Sequence, residues 1–448
     1  MRSTALFATF AVLFSLLNAS PAAALDETHW QEANQAIERG VEYLRSTQNE
    51  DGSWIPEPGP AITGLCLAAL LDQPDIGPDD PAVVKAIDFI LAHIQEDGSI
   101  RQGPDGILAS YNTSICLSAM SRIGNDPRIA QAIAMGQDFL RSIQWKTGML
   151  DPNDESIDDE HPYVGGFGYG RHGRPDLSNT QIALQALHDT GCDCDDPAFQ
   201  RALIFLNRVQ ATPDNDLYAD MIQQDEDSAG GFIYAPSTNS DNINTPQSMA
   251  NPDQVEQARE GNAVSGLRTY GGMTYSGFKS LLYANLDRDD PRVQAVLGWI
   301  ANNYELDHNP GMPEETKLQG LYYYYLTMAR ALNAWGSSSL EVNVEGNFTT
   351  VRANPGVLMR DVIAKINELS QAGHDDVRLA VGDDSIEGIQ VTTGVGIETH
   401  DWANDMIDKI TSLQAEDGSW ANTESRWMED NPILCTAYAV LALQSAID

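Results

Sequence analysis

An all-α fold is predicted by this sequence: an (α/α)6 toroid of six helix pairs, with a small α/β insert between the fifth and sixth pairs. Two observations carry it. A Thr-initiated apolar run, with Ala or Ser six residues after the threonine and Leu or Met at seven, recurs at Thr63, Thr113, Thr180, Thr274 and Thr436. Ahead of these runs stand Gly-centred closures, Asn49-Glu-Asp-Gly-Ser-Trp54, Asp97-Gly-Ser-Ile100, Gly165-Gly-Phe-Gly-Tyr169, Gly230-Gly-Phe-Ile-Tyr234 and Asp417-Gly-Ser-Trp420. A helix pair too small to bury its own apolar face becomes stable when several pairs close into a ring, second helices inside and first outside.

The first repeat opens with a helix over about Gln31 to Gln48 and enters its inner helix at Thr63. The second runs from Pro81, whose ring suits a first helical turn, to Gln95 and then Thr113. In the third, Pro127 to Gln144 is followed by a long acidic loop and the helix at Thr180, which Ser178, Asn179 and Thr180 are read as capping. The fourth starts at Pro197, passes Gln210 and crosses a polar excursion from Ser237 to Asn262 before Thr274. Repeat five runs from Pro291 to Tyr304 and into an aromatic helix with Tyr322 to Tyr325, without the threonine. After Gly336 the texture changes: Leu340–Val344, Phe348–Val351, Val377–Val381 and Ile389–Val391 read as strands and Leu358–Leu369 as a helix. The last repeat resumes at Trp402. Four segments follow: 1–24, toroid repeats one to five over 25–336, an insert over 337–398, and the sixth repeat over 399–448.

Arg2, an apolar run from Ala5 to Leu17 and then Pro21-Ala-Ala-Ala24 read as a signal peptide cleaved after Ala24. The run is well short of the roughly 20 residues a membrane span takes, so export with no transmembrane span after signal removal is the expectation. A formal net charge of -39 argues against nucleic acid or an anionic membrane surface as partner. Cys66 and Cys116 take positions where the other repeats carry Ala or Gly, which points to tight packing, whereas Cys192 and Cys194 fit either a disulfide or two free thiols.

The Gln…Asp-Gly-Ser-Trp closures resemble the QW motif of squalene-hopene cyclases, and Gly-Gly-Phe before a Thr-initiated helix is similar to protein prenyltransferase β-subunits. The resemblance is thus to the terpene cyclase and prenyltransferase α/α-toroid superfamily, and it implies an apolar isoprenoid-like ligand in the central cavity. Its catalytic signatures do not carry over. Where class II cyclases hold Asp-x-Asp-Asp-Thr, this chain has Asp176-Leu-Ser-Asn-Thr180, and neither Ser178 nor Asn179 is an acid able to protonate an alkene. Cys435 stands where the prenyltransferase zinc His would be, and Leu318-Gln-Gly-Leu-Tyr322 replaces the Asp-x-Cys pair. Asp225-Glu-Asp-Ser228 lies in a loop and reads as solvated charge. The acidic loop Asp151–Glu160 lacks the Gly and the bidentate Glu of a calcium loop. Neither metal nor cofactor is expected.

In such a toroid the inner helices run parallel, so their N-termini gather at one electropositive end that favours a negative ligand group. Residues just before these helices would line the mouth. Asp176, Glu429 and Asp430 are the candidate catalytic carboxylates; Tyr111, Tyr163, Tyr169, Asn179, Arg268, Tyr270, His308, Tyr322 and Trp427 are the candidate ligand-binding residues. Aromatic faces beside a few ionisable groups suit a cationic isoprenoid species, and they also suit stacked sugars. The expected partner is a small molecule, apolar or carbohydrate. The alternatives are a glycan-active lyase or hydrolase, predicting a polar cleft with paired carboxylates and basic residues, and a noncatalytic binding scaffold, predicting a filled barrel.

Overall fold

The computed structural model describes residues 25–151, 153–170, 173–238, 243–253, 265–345, 377–381, 386–391 and 395–448. Among these, twelve α-helices form six pairs. The outer members are α1 (Glu27–Ser46), α3 (Pro81–Leu91), α5 (Pro127–Ile143), α7 (Pro197–Val209), α9 (Pro291–Asn303) and α11 (Trp402–Ser412). Their inner partners are α2 (Ala61–Leu71), α4 (Ala109–Met120), α6 (Leu177–Asp189), α8 (Gly271–Tyr283), α10 (Leu321–Trp335) and α12 (Pro432–Ile447).

Two kinds of sequence make the two layers. Four outer helices start on Asp-Pro: Asp80, Asp126, Asp196 and Asp290 each accept the amide two residues on, and the proline occupies the first turn, where no N–H is missed. These helices are amphipathic; α3 buries Val83, Ala86, Ile87 and Ile90, the spacing of one helical stripe. Inner helices are buried nearly all round, as α2 and α4 are. Each inner helix packs on the next, α2 on α4, α4 on α6, α6 on α8, α8 on α10 and α10 on α12, and α12 returns to α2. The chain is therefore an (α/α)6 toroid.

The repeated motifs are fasteners. Gln48 donates to Ala82 O in α3 (2.9 Å), Gln144 to Ala198 O in α7 (2.8 Å) and Gln210 to Arg292 O in α9 (2.9 Å), while each also ties its own turn at Gly52, Gly165 or Gly230. Gln414 does the same to Ala36 O of α1 (2.9 Å), which joins the last outer helix to the first. Gln95 departs: its amide bonds stay within its own turn, at His93 O and Arg101 O. The threonines are not caps. Thr63, Thr113, Thr180, Thr274 and Thr436 lie inside their helices and accept the amides of Trp54, Ile100, Phe167, Phe232 and Trp420 at 2.8–3.1 Å. The cap of α6 is Asp176, whose carboxylate accepts from Asn179 N, so the capping role read for 178–180 is corrected. In the fifth repeat Tyr325 holds the threonine's place, and its hydroxyl reaches Leu306 O (2.6 Å).

After α10 the chain forms β1 (Ser339–Glu345), β2 (Val377–Val381), β3 (Ile386–Val391) and β4 (Val395–Asp401). β1 pairs antiparallel with β4, Leu340 opposite His400, and β2 pairs with β3. β4 is not among the strands expected from the sequence, and the expected boundary at 398 falls within it. The strand expected at 348–351, the helix expected at 358–369 and the segment 1–24 lie outside the described residues. No helix among the described residues is long and apolar enough to cross a membrane. Cys192 and Cys194 are free thiols, and Cys192 lies 3.1 Å from an Arg141 guanidinium nitrogen.

Candidate functional site

Counting from the threonine gives the register of the toroid axis. Residues two before, two after and five after it face inward, because they share one helical stripe. Two before are Ala61, Tyr111, Ser178, Gly272, Tyr323 and Leu434, all of which line a cavity of about 230 Å³ at the N-terminal end of the inner helices. Loops before the helices complete it with Tyr169, Tyr234, Tyr270, Trp427 and Glu429. The mouth is thus where the helix N-termini gather, as the parallel arrangement requires.

Rings dominate this cavity. Tyr169 and Trp427 stand at the rim, each partly exposed, while Tyr234, Tyr270 and Tyr438 are buried. Tyr111 and Tyr169 lie 6.4 Å apart between centroids, and Tyr323 meets Tyr438 edge-on at 6.3 Å. Burial raises the pKa of Tyr111, Tyr169, Tyr234, Tyr270, Tyr323 and Tyr438, so the phenols are neutral hydrogen-bond donors.

Glu429 lines the cavity and is 1% exposed. Its carboxylate accepts from Tyr323 N (2.9 Å) and Tyr322 N (3.3 Å), the first-turn amides of α10, and from Asn422 Nδ2 (2.7 Å). Burial outweighs these donors and raises its pKa from 4.5 to about 7. Trp427 and Met428, directly ahead of it, both have left-handed backbone (φ 56° and 65°). Two adjacent non-glycine residues in that region are costly, and such strain concentrates at functional sites.

Asp176 does not line the cavity. It is 1% exposed, bonded by Asn179 N (2.8 Å) and Asn179 Nδ2 (2.9 Å), and stands beside the Tyr234 and Tyr169 phenols, which do line the cavity. Burial raises its pKa, opposed by the Asn179 amide and by Arg174, which lies 5.4 Å from the Tyr234 ring centre. The two helix N-termini that carry these acids are therefore already occupied by the protein's own carboxylates.

Of the residues expected at the mouth, Tyr111, Tyr169, Tyr270, Trp427 and Glu429 come together at the cavity. Others do not. Tyr163 packs on Trp145 in a separate cluster. Tyr322 is buried edge-on against Tyr325, and Asn179 serves Asp176. Arg268 holds Ala250 O, His308 sits beside Glu305, and Asp430 is exposed. Sequence reasoning missed Tyr234, Tyr323, Tyr438, Asn112 and Asn309. Tyr323 and Tyr438 were within reach of the threonine register, whereas Asn309, which accepts from Gly272 N (3.0 Å), carries no sequence signal. Among the described residues, Asp193, Cys194 and Asp195 form one group with metal-type ligands, on an exposed turn outside the cavity.

Chemically, the cavity can enclose an apolar molecule, offer ring faces to developing positive charge, and exchange a proton at Glu429 near neutral pH. An acid of that strength suits polar groups and not an isolated alkene.

No family model matches the chain, and no curated protein matches it. Among solved structures it is similar to a variant of the type II terpene cyclase MstE from Scytonema with merosterolic acid A, at 12% identity over 94% of this chain and 98% of that one, TM-score 0.47. The apo form of that cyclase matches at 11% identity over 93% and 98%, TM-score 0.45. A glycosidase variant matches at 11% identity over 95% and 99%, TM-score 0.43. Likenesses this distant carry no activity to this chain, whose toroid is read from its own helices.

Proposed function

We propose that this toroid binds an apolar, isoprenoid-like small molecule in its aromatic cavity, with Glu429 as the group that exchanges a proton with the ligand. The observation that carries this reading is the lining itself: six neutral tyrosines and Trp427 around one carboxyl. Such a wall gains most from burying hydrocarbon, and its ring faces stabilise a cationic centre without a counter-ion. Ser178 and Asn179, in place of two acids, leave the chain without the carboxylic acid that alkene protonation takes, so the chemistry proposed is binding and acid–base exchange.

A glycan hydrolase calls for two carboxylates flanking the scissile bond. Among the described residues Glu429 is the carboxylate that lines the cavity, and Asp176 stands behind Tyr234. A scaffold with a filled barrel would not leave about 230 Å³ open at the mouth. Export through residues 1–24 belongs to the same reading, and a secreted chain beginning at Leu25 by intact mass would support it.

The test is native mass spectrometry of the chain from Leu25 onward, after incubation with a total lipid extract and separately with an oligosaccharide pool. Retention of a discrete lipid, lost on Tyr323→Ala, is the expected result. Retention of a sugar, or of nothing, overturns it.

A further inference from the structure

Below the aromatic cavity the toroid interior sets a few polar side chains among apolar walls such as Leu65, Ala68, Ile115, Ile182 and Leu326. Tyr111, Tyr323 and Tyr438 line both the cavity and a deeper space of about 40 Å³. The residues five after the threonine position form its floor: Ser118, Gln185, Lys279 and Arg330, from four successive inner helices α4, α6, α8 and α10.

The floor's basic groups make no contact ion pair among the described residues, although Asp189 lies close enough to favour the charge on both. Lys279 is 1% exposed, and its ammonium makes one hydrogen bond among the described residues, to Gln185 Oε1 at 2.6 Å. Arg330 donates to that same oxygen at 3.2 Å. Neither forms an ion pair among the described residues. The nearby carboxylate, Asp189, is taken up by Ser118, Gln185 and His188. A buried amine, whose pKa desolvation and the Arg330 guanidinium push well below the ordinary lysine value, and a guanidinium thus converge on one neutral carbonyl, in a chain with 65 acidic residues against 26 basic. Burying a cation without a partner costs more than filling the space with apolar side chains, so a plug would not be built this way. The C-terminal ends of the inner helices supply some negative potential, and half-buried Arg330 also lines an open cleft of about 590 Å³ on that side, so Lys279 is the group held away from solvent with one acceptor.

A further orphan faces the same space. Gln181, 2% exposed, donates to the Tyr323 hydroxyl (3.0 Å), and its Oε1 has no partner. Turning that amide over lets the Tyr323 hydroxyl donate to Oε1 and leaves Nε2 as another donor toward the floor.

We infer that the floor is an anion subsite: Lys279, Arg330 and Gln181 hold the carboxylate of an amphiphile whose apolar body fills the aromatic cavity above. The space suits a planar carboxylate, being a few times the volume one water occupies by the same measure. This rests on the apolar-ligand reading and sharpens it to an isoprenoid-like acid, bound head down. The orientation follows from the rest of the site, since the N-termini of α6 and α10 at the mouth are already met by Asp176 and Glu429.

Farnesoic acid, farnesol and farnesene are the matched probes, with affinities measured by calorimetry on wild type, Lys279→Met, Lys279→Gln and Arg330→Met. The acid should bind wild type about tenfold or more tighter than the alcohol, as charge-assisted hydrogen bonds do. In each variant that ratio should fall toward one while farnesol and farnesene bind as before. Without ligand, Lys279→Met should melt no lower than wild type, because a buried amine with one hydrogen bond is replaced by an apolar side chain of similar length. Equal binding of acid and alcohol by wild type overturns the subsite, as does a ratio unchanged in the variants or a lower melting point for Lys279→Met. Failure of all three probes to bind wild type overturns the apolar-ligand reading instead.

Discussion

Glu429 shows what a single buried residue can report. Its folded pKa of about 7 stands above the ordinary 4.5, so between those values the folded state holds a proton that the unfolded state has released. Stability should therefore be greatest at the acid end of that window and fall as pH rises through 7, by up to about 3 kcal/mol. Urea unfolding of wild type and Glu429→Gln from pH 5 to 8 checks this: the slope over the window should be clearly steeper in wild type than in the variant, where buried Asp176 still contributes. An equal slope in both would place the titration elsewhere. The same carboxylate holds the first-turn amides of α10, so Glu429→Ala should fray that helix's start as well as empty the cavity of its acid. Tyr323 and Tyr438 follow from the threonine register, two residues before and two after. Glu429 and Asn309 do not, because they arrive from loops whose course no helical period describes.

At the scale of the element, the repeated residues hold helices to turns. Thr180→Val keeps the shape of the side chain but leaves the buried Phe167 amide without an acceptor, which should cost about 1–3 kcal/mol, read as a shift of the denaturation midpoint at unchanged slope. Gln144→Ala should cost more than Gln95→Ala. Gln144 bridges Gly165 O and Ala198 O and accepts from Arg201, whereas Gln95 serves only its own turn. A difference of about 2 kcal/mol between the two is expected, from the orphaned partners, and equal losses would show that the inter-helix bond adds nothing. Gly165 has a related constraint: its φ is +91° and an added Cβ would stand 2.0 Å from Arg201 O, so Gly165→Ala cannot be absorbed without moving α7. These positions are legible as motifs in the amino-acid sequence, but the group that each motif touches is not. A Gln side chain can cap, pair or bridge, and only its surroundings choose among them.

For the molecule as a whole, closure is the property that matters. Gln414 ties the turn after α11 to Ala36 in the middle of α1, and Gln444 of α12 donates to Ala69 O of α2. Gln414→Ala should loosen α1 first, seen as faster amide hydrogen exchange in 27–46 with the inner helices still protected. Uniform exchange across all six pairs would mean that the ring opens as one unit.

By itself the sequence determined the helix pairs, their number, the two layers and the end at which the inner helices begin. Those follow from periodicity, from Asp-Pro starts and from repeats that no helix pair could satisfy alone, all of which are properties of the chain read locally. It also placed Tyr111, Tyr169, Tyr270, Trp427 and Glu429 before inner helices, where parallel packing brings them together. The tertiary structure alone decided that Asp176 stands behind Tyr234, that Tyr163, Arg268, His308, Tyr322 and Asp430 stay outside the cavity, and that Lys279 and Arg330 meet over one oxygen. The first and last of those facts join residues from different repeats, and a distance across a ring is set by how six pairs close; the others depend on the course of loops within a repeat, which no helical period describes.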